Sequence, residues 1–267
     1  MVSVIKMILE IKNKIKKSKL NLEPFPHIII KNFLPKKILN KLNKILPDYD
    51  DIDERNVIFQ SLSKTKKTVM PDSKVFKNLL KKKIFKEVND NLKKIKPTIL
   101  KKFNNEISKN VNPNFLNTKI KYNMNFGLMI KGYLKSAHLD RRDHLISGIY
   151  YPISKKNKGG NLQLCGTIGK KKSFDVFPSK KNLKIVKNYR INKNFCVFFL
   201  NVPWAYHAVS KYNGETDRKY FYIDYDFNVK ESSSLSKNRK KGSNLNSLWK
   251  IPVEVKSLSR KETFFNE

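Results

Sequence analysis

The sequence predicts an α+β protein: a double-sheet, jelly-roll β core behind a helical N-terminal layer. Three observations lead there. Apolar residues recur at helical spacing through most of the first 110 residues, as in Phe76, Leu79, Leu80, Ile84, Phe85, Val88 and Leu92. After Pro113 the texture changes to short runs rich in Tyr, Phe, Val and Ile, over 119–130, 147–153, 161–165, 194–200, 206–212 and 219–227. Gly, Asn, Pro and Lys punctuate them, and strands at this density with no helices between them form an antiparallel sandwich or barrel.

The elements follow in order. Val4, Ile8, Ile11 and Ile15 sit one helical turn apart among lysines, predicting a basic amphipathic helix within residues 1–23. Lys6, Glu10 and Lys12 break its apolar stretch, and no small-residue cleavage site follows, so it does not read as a secretory signal. Pro26-His27-Ile28-Ile29-Ile30 predicts a buried strand, and Ile38, Leu39, Leu42, Ile45 and Leu46 predict a helix ending near Pro47. The acidic run 48–54 reads as a solvated loop, and a helical pattern spans 73–107 with a break at Pro97. The expected domain therefore covers 24–227, with a helical part at 34–110 and a β core at 117–227. Residues 228–267 read as a Ser/Lys/Asn-rich extension, a flexible link leading to a short segment near Leu248.

Composition narrows the class. With 267 residues, 39% hydrophobic and 11% aromatic, the chain can bury a sizeable core. Its net charge of +35 comes from 57 Lys plus Arg against 22 Asp plus Glu. Lysine is spread along the whole chain together with abundant Asn and Ile, as an AT-rich coding sequence would give. No nucleic-acid motif accompanies it, so a nucleic acid or other acidic polymer is not the favoured partner. No run of about 18 apolar residues occurs, so no transmembrane segment is expected. The two cysteines, Cys165 and Cys196, lie in separate strand-like runs, which favours a reducing, cytoplasmic setting over a disulfide framework.

The chemistry centres on Ala137-His138-Leu139-Asp140-Arg141-Arg142-Asp143-His144. Four His and twelve Asp would give about 0.2 His-x-Asp by chance, so the tripeptide alone is weak. On an extended segment, however, residues i and i+2 face the same way, and His138 and Asp140 offer a nitrogen and an oxygen to one ion. A third histidine ligand has to be His27, His144 or His207. His207 is the choice, because in FCVFFLNVPWAYHAVS an apolar strand, a Pro turn and a second strand return the chain to the same sheet. Taken alone, His207 reads as an ordinary buried histidine beside Trp204 and Tyr206. Two His and one carboxylate leave three coordination positions open, the arrangement suited to non-haem Fe(II). Arg218, which opens RKYFYIDYDF, offers a guanidinium for a carboxylate from a strand it enters only at a cost without an anion. Alternatively it snorkels to solvent and Lys219 is the inward residue.

The ordered set GLMIKGYLKSAHLDRRDHLISGIYYPIS, GGNLQLC, FCVFFLNVPWAYHAVS and RKYFYIDY resembles the core of the 2-oxoglutarate and Fe(II)-dependent oxygenases, in particular their prolyl 4-hydroxylase-like branch. PFPHIIIKNFLPKKILNKL is similar to the strand and helix that open such domains, and 49–112 matches only as a variable helical insert. The resemblance implies that His138, Asp140 and His207 hold iron and act in catalysis, and that Arg218 binds the distal carboxylate of 2-oxoglutarate. It implies a hydroxylase that uses 2-oxoglutarate and O2 and releases succinate and CO2, acting on an unidentified protein side chain or small metabolite. Tyr133 and Tyr220 are possible co-substrate contacts, and residues 141–144 either rim the substrate mouth or form a solvated turn. Two other readings use the same residues: a Zn-dependent hydrolase with His138, His207 and Asp140 or His144 as ligands, and an inactive jelly-roll module that holds an acidic polymer.

Overall fold

A computed structural model of the chain describes residues 4–53, 64–153, 158–169, 174–228, 248–251 and 253–254. The Ser/Lys/Asn-rich link expected at 231–247 lies outside these residues. Helix α1 (Val4–Lys17) turns Met7, Ile11 and Ile15 inward and packs on strand β1 (His27–Lys31) and on the helices of residues 83–94 and 96–110. Helix α2 (Lys36–Asn43) buries Ile38, Leu39 and Leu42 but stops short of Pro47. A proline disfavours the α conformation in the residue before it, so the last turn is lost. Strand β2 (Lys66–Val69) is followed by α3 (Lys74–Lys81), whose first turn is capped by the Ser73 hydroxyl accepting from the Phe76 N–H at 3.2 Å.

The expected break at Pro97 is present two residues earlier, at Ile95. The helical pattern divides at Lys82 and Ile95, giving α4 (Lys83–Lys94) and α5 (Lys96–Asn110), and Pro97 sits in the first turn of α5. There its missing N–H has no intrahelical partner to lose.

The remaining strands are β3 (Ile120–Met129), β4 (Lys135–His138), β5 (His144–Tyr151), β6 (Leu162–Thr167), β7 (Phe174–Asp175), β8 (Leu183–Tyr189), β9 (Phe195–Leu200), β10 (His207–Val209), β11 (Arg218–Phe227) and β12 (Val253–Glu254). They build two antiparallel sheets, β1-β9-β5-β11-β3-β2 and β4-β10-β6-β8. Every run of strand-like sequence named above contributes a strand. Strands β2, β4, β7 and β8 lie outside those runs, because KKTV, KSAH, FD and LKIVKNY are short or interrupted by lysine. Cys165 and Cys196 are buried thiols on different sheets.

Strand β11 organises both sides of the large sheet, because successive side chains on a strand point to opposite faces. Phe221, Ile223 and Tyr225 turn toward the helices. The Phe221 ring lies 5.2–6.0 Å from those of Phe126, Phe85 and Tyr150, and the Tyr225 hydroxyl donates to Leu92 O at 2.9 Å. Lys219 turns the same way and reaches Leu46 O and the Asp48 carboxylate. Arg218, Tyr220, Tyr222, Asp224 and Asp226 alternate with these and face the small sheet. The C-terminal residues dock as well: Leu248 and Trp249 are buried, and β12 pairs in parallel with β7.

Phe221 has no exposed surface and joins the helices to the large sheet. Phe221→Ala should lower unfolding free energy by about 3–5 kcal/mol, read from urea denaturation followed by circular dichroism. A loss under 1 kcal/mol would show that the helices do not depend on this contact.

Candidate metal centre and its cleft

The site is built by one strand pairing. Strands β4 and β10 run antiparallel with His138 directly opposite His207. Alternation sends Ala137, Leu139, Tyr206 and Ala208 to the outer face, where they pack with Cys165, Phe174 and Leu183. The two histidines consequently face inward, with ring centroids 4.4 Å apart. Asp140 lies two residues past His138 in the following turn, and its Oδ1 is 3.7 Å from His138 Nε2 and 3.5 Å from His207 Nε2. The ligand atoms of the three residues all lie within 4.8 Å of one another, the one such group of three among the described residues.

Each imidazole is oriented by the carbonyl two residues before it. His138 Nδ1 lies 2.8 Å from Ser136 O, and His207 Nδ1 lies 3.1 Å from Ala205 O. These carbonyls hold a proton on Nδ1 and leave Nε2 with a lone pair. His207 Nε2 is buried and has no hydrogen-bond partner among the described residues. A buried acceptor left so is costly unless something binds it. Burial disfavours charge on Asp140, but the neighbouring His207 and His138 outweigh it and hold the carboxyl well below its usual range. Burial, reinforced by Lys135 and His207, holds His138 in the neutral form. Burial opposes charge on His207, yet Asp140 and the Ala205 carbonyl raise its pKa, so a metal would take the place of that proton. A carboxylate and two imidazole Nε2 atoms aimed at one point form a donor set that fits a divalent first-row metal.

Arg218 is buried on β11, and the double glycine of GGNLQLC makes its cradle. Its guanidinium donates to Gly160 O and, at 3.0 Å, to Gly159 O, and stacks 4.3 Å from the Tyr212 ring centroid. Gly159 and Gly160 have φ of +69° and +63°, and a Cβ on Gly160 would fall 2.4 Å from Arg218 Nη1. Only glycine meets both demands. Tyr151 couples electrostatically to Arg218, and its ring lies 6.1 Å from that of Tyr220. Both tyrosines named from the sequence, Tyr133 and Tyr220, are buried in this cleft. Tyr220 lies flat over Gly127, where a Cβ would come 2.2 Å from its Cζ.

The segment after Asp140 is braced rather than loosely solvated. Arg141 pairs with Asp143 at 2.6 Å, and Asn201 Nδ2 donates to Arg141 O at 2.8 Å and His144 O at 3.2 Å. His144, the rival third ligand, turns to Asp226 instead, with Nδ1 2.5 Å from Oδ1. Burial opposes a charged His144, yet Asp224 and Asp226 together push its pKa up to about 10. Asp224 is raised to about 7, by burial first and then by Asp226 and Asp140. Sequence reasoning missed Asn201, Asp224, Tyr151, Tyr212, Tyr222 and Lys66. Polar side chains at every second position of an otherwise aromatic β11 were the signal for Tyr222 and Asp224.

The fold matches that of the crystal structure of a Pseudomonas putida prolyl-4-hydroxylase. That protein is 13% identical, with 82% of this chain and 98% of that chain covered at a TM-score of 0.52. Prolyl 4-hydroxylases from Phytophthora capsici give 11% identity, 85% and 66% coverage and a TM-score of 0.48. IDO from Bacillus thuringiensis gives 10%, 82% and 96%, and 0.46. No protein-family model matches the sequence. No curated protein matches it by sequence.

The raised His144 pKa has a consequence for stability. Its contribution is fully present below the unfolded histidine value of about 6.5 and is lost as pH rises through about 10. The destabilisation caused by His144→Gln should therefore shrink between pH 7 and pH 10, measured by urea unfolding at each pH. A constant difference would show that the imidazole is not held protonated by Asp226.

Proposed function

We propose that the protein is an Fe(II)- and 2-oxoglutarate-dependent oxygenase, in which His138, Asp140 and His207 hold the metal and Arg218 binds the distal carboxylate of 2-oxoglutarate. The observation that carries this reading is the facing pair His138 and His207 with Asp140 beside both Nε2 atoms. When bound, iron would supply activation of O2 coupled to decarboxylation of 2-oxoglutarate to succinate and CO2, with hydroxylation of a substrate C–H bond. The fold shared with a prolyl-4-hydroxylase supports the same reading at the level of architecture. In it the β core at 117–227 is a double-stranded β-helix, the helices form a layer over one sheet, and residues 1–23 and 228–267 flank the oxygenase domain.

The chain's own residues have definite tasks. The Ser136 and Ala205 carbonyls fix the tautomers that aim both Nε2 atoms at one point. Asp140 contributes the negative charge that two neutral imidazoles lack. Arg218 offers a fork of N–H donors matched to a carboxylate, already oriented by Gly159, Gly160 and Tyr212. Tyr151 neighbours Arg218 and Tyr220, and these buried rings, with the buried Tyr133, keep water from the guanidinium and strengthen its charge interactions.

Anaerobic addition of Fe(II) and 2-oxoglutarate should produce a weak visible charge-transfer band, and admission of air should release succinate. His207→Ala should abolish both. Arg218→Met should keep the band but raise the 2-oxoglutarate concentration needed by about 10- to 100-fold, the worth of a charged hydrogen-bonded pair. Absence of both band and succinate from the wild-type protein would overturn the assignment.

A further inference from the structure

Lys66 is a second cation inside the same cleft, and neither the metal nor the co-substrate accounts for it. Its backbone is level with that of Arg218, since Lys66 and Arg218 both pair with Met129 across β2, β3 and β11. The two strands flanking β3 place those backbones roughly 10 Å apart. From that shared row the two side chains diverge. Arg218 turns to Gly159, Gly160 and Tyr212. Lys66 runs the other way along the sheet, and its Nζ comes nearest Tyr222, four residues further along β11, at 5.4 Å from the ring centroid. The rings of Tyr220 and Tyr133 lie 5.8 and 5.9 Å away.

Among the described residues this ammonium donates no hydrogen bond and joins no ion pair within 4.0 Å. Three aromatic faces at this range offset part of its desolvation but satisfy none of its donors. Burial lowers its pKa to about 8, Lys135 adding to the effect and Asp140 opposing it. Among the described residues Lys66 is thus a half-buried donor with no hydrogen-bond or ion-pair partner, within electrostatic reach of Asp140 and beside the half-buried Tyr222. Under the oxygenase reading, on which this inference rests, both carboxylates of 2-oxoglutarate already have partners in the metal and Arg218.

We propose that Lys66 is a specificity determinant that binds an oxyanion of the substrate, a carboxylate or phosphate, so that the enzyme selects substrates carrying a negative group close to the oxidised carbon. The chain's general excess of lysine does not carry this inference. Lys66 differs from the exposed lysines by its aromatic surround and its place on the site face of the large sheet.

The probe is inorganic phosphate, titrated calorimetrically into the protein at physiological salt, which screens exposed lysines. A parallel titration uses acetate, and the tighter of the two identifies the kind of oxyanion preferred. Lys66→Met should weaken binding at least about tenfold, the worth of one charged hydrogen bond, while Lys66→Arg retains it and the exposed control Lys119→Met leaves it unchanged. The Fe(II) and 2-oxoglutarate band, measured in parallel, should survive Lys66→Met. Phosphate and acetate binding unaltered by Lys66→Met would overturn the proposal. So would loss of the 2-oxoglutarate band in that variant, which would assign Lys66 to the co-substrate. A wild-type protein with Lys66-dependent anion binding but no band would retain the anion site while removing the oxygenase reading.

Discussion

The antiparallel pairing of His138 with His207 is the constraint on which the cleft depends. Two short strands, β4 with four residues and β10 with three, bring residues 69 positions apart in the chain into direct opposition. A slip of one residue would exchange the faces, placing Ala137 or Ala208 in the cleft and the histidines in the outer cluster. That outer cluster opposes such a slip. Ala137, Leu139, Tyr206 and Ala208 are apolar and buried against Phe174 and Leu183, so the register that buries them also presents the histidines inward. Packing on one face therefore fixes coordination geometry on the other.

The large sheet supplies the complementary wall by the same alternation. Along β11 the helix-facing residues are Phe221, Ile223 and Tyr225, while the cleft-facing residues are Arg218, Tyr220, Tyr222, Asp224 and Asp226. At the start of the strand the charge is positive, with Arg218 held by glycine carbonyls. At the far end the acids Asp224 and Asp226 enclose His144. Separating the charges in this way keeps His144 away from the His138 and His207 pair. It also leaves Asp140 as the carboxylate that both imidazoles share.

Much of this was legible in the sequence, for identifiable reasons. Strands β3, β5, β9 and β11 are long and rich in aromatic and β-branched residues, so their pattern survives the lysine background. The His-x-Asp spacing was informative because an extended strand ties i to i+2. Strands β2 and β8 were hidden: at KKTV and LKIVKNY lysines occupy positions that in most sheets alternate with apolar residues. Lys66 was invisible for that reason, one lysine among many until the pairing through Met129 placed it level with Arg218. Pro97 marked the boundary between α4 and α5, because a proline is tolerated in the first turn of a helix and not further in. Asn201 donates from its side chain to the Arg141 and His144 carbonyls, and the double glycine accepts from Arg218 through its own, so both roles depend on backbone groups that no side-chain pattern encodes.

Metal binding by the three facing side chains is the most direct test of the whole arrangement. Titration of the protein with Mn(II), followed by electron paramagnetic resonance of the free ion, should show one tight site per chain. Replacing Asp140 with Ala should remove that site while leaving the circular dichroism spectrum unchanged. Equal Mn(II) stoichiometry and affinity in the wild-type and Asp140→Ala proteins would contradict a metal centre built from His138, Asp140 and His207.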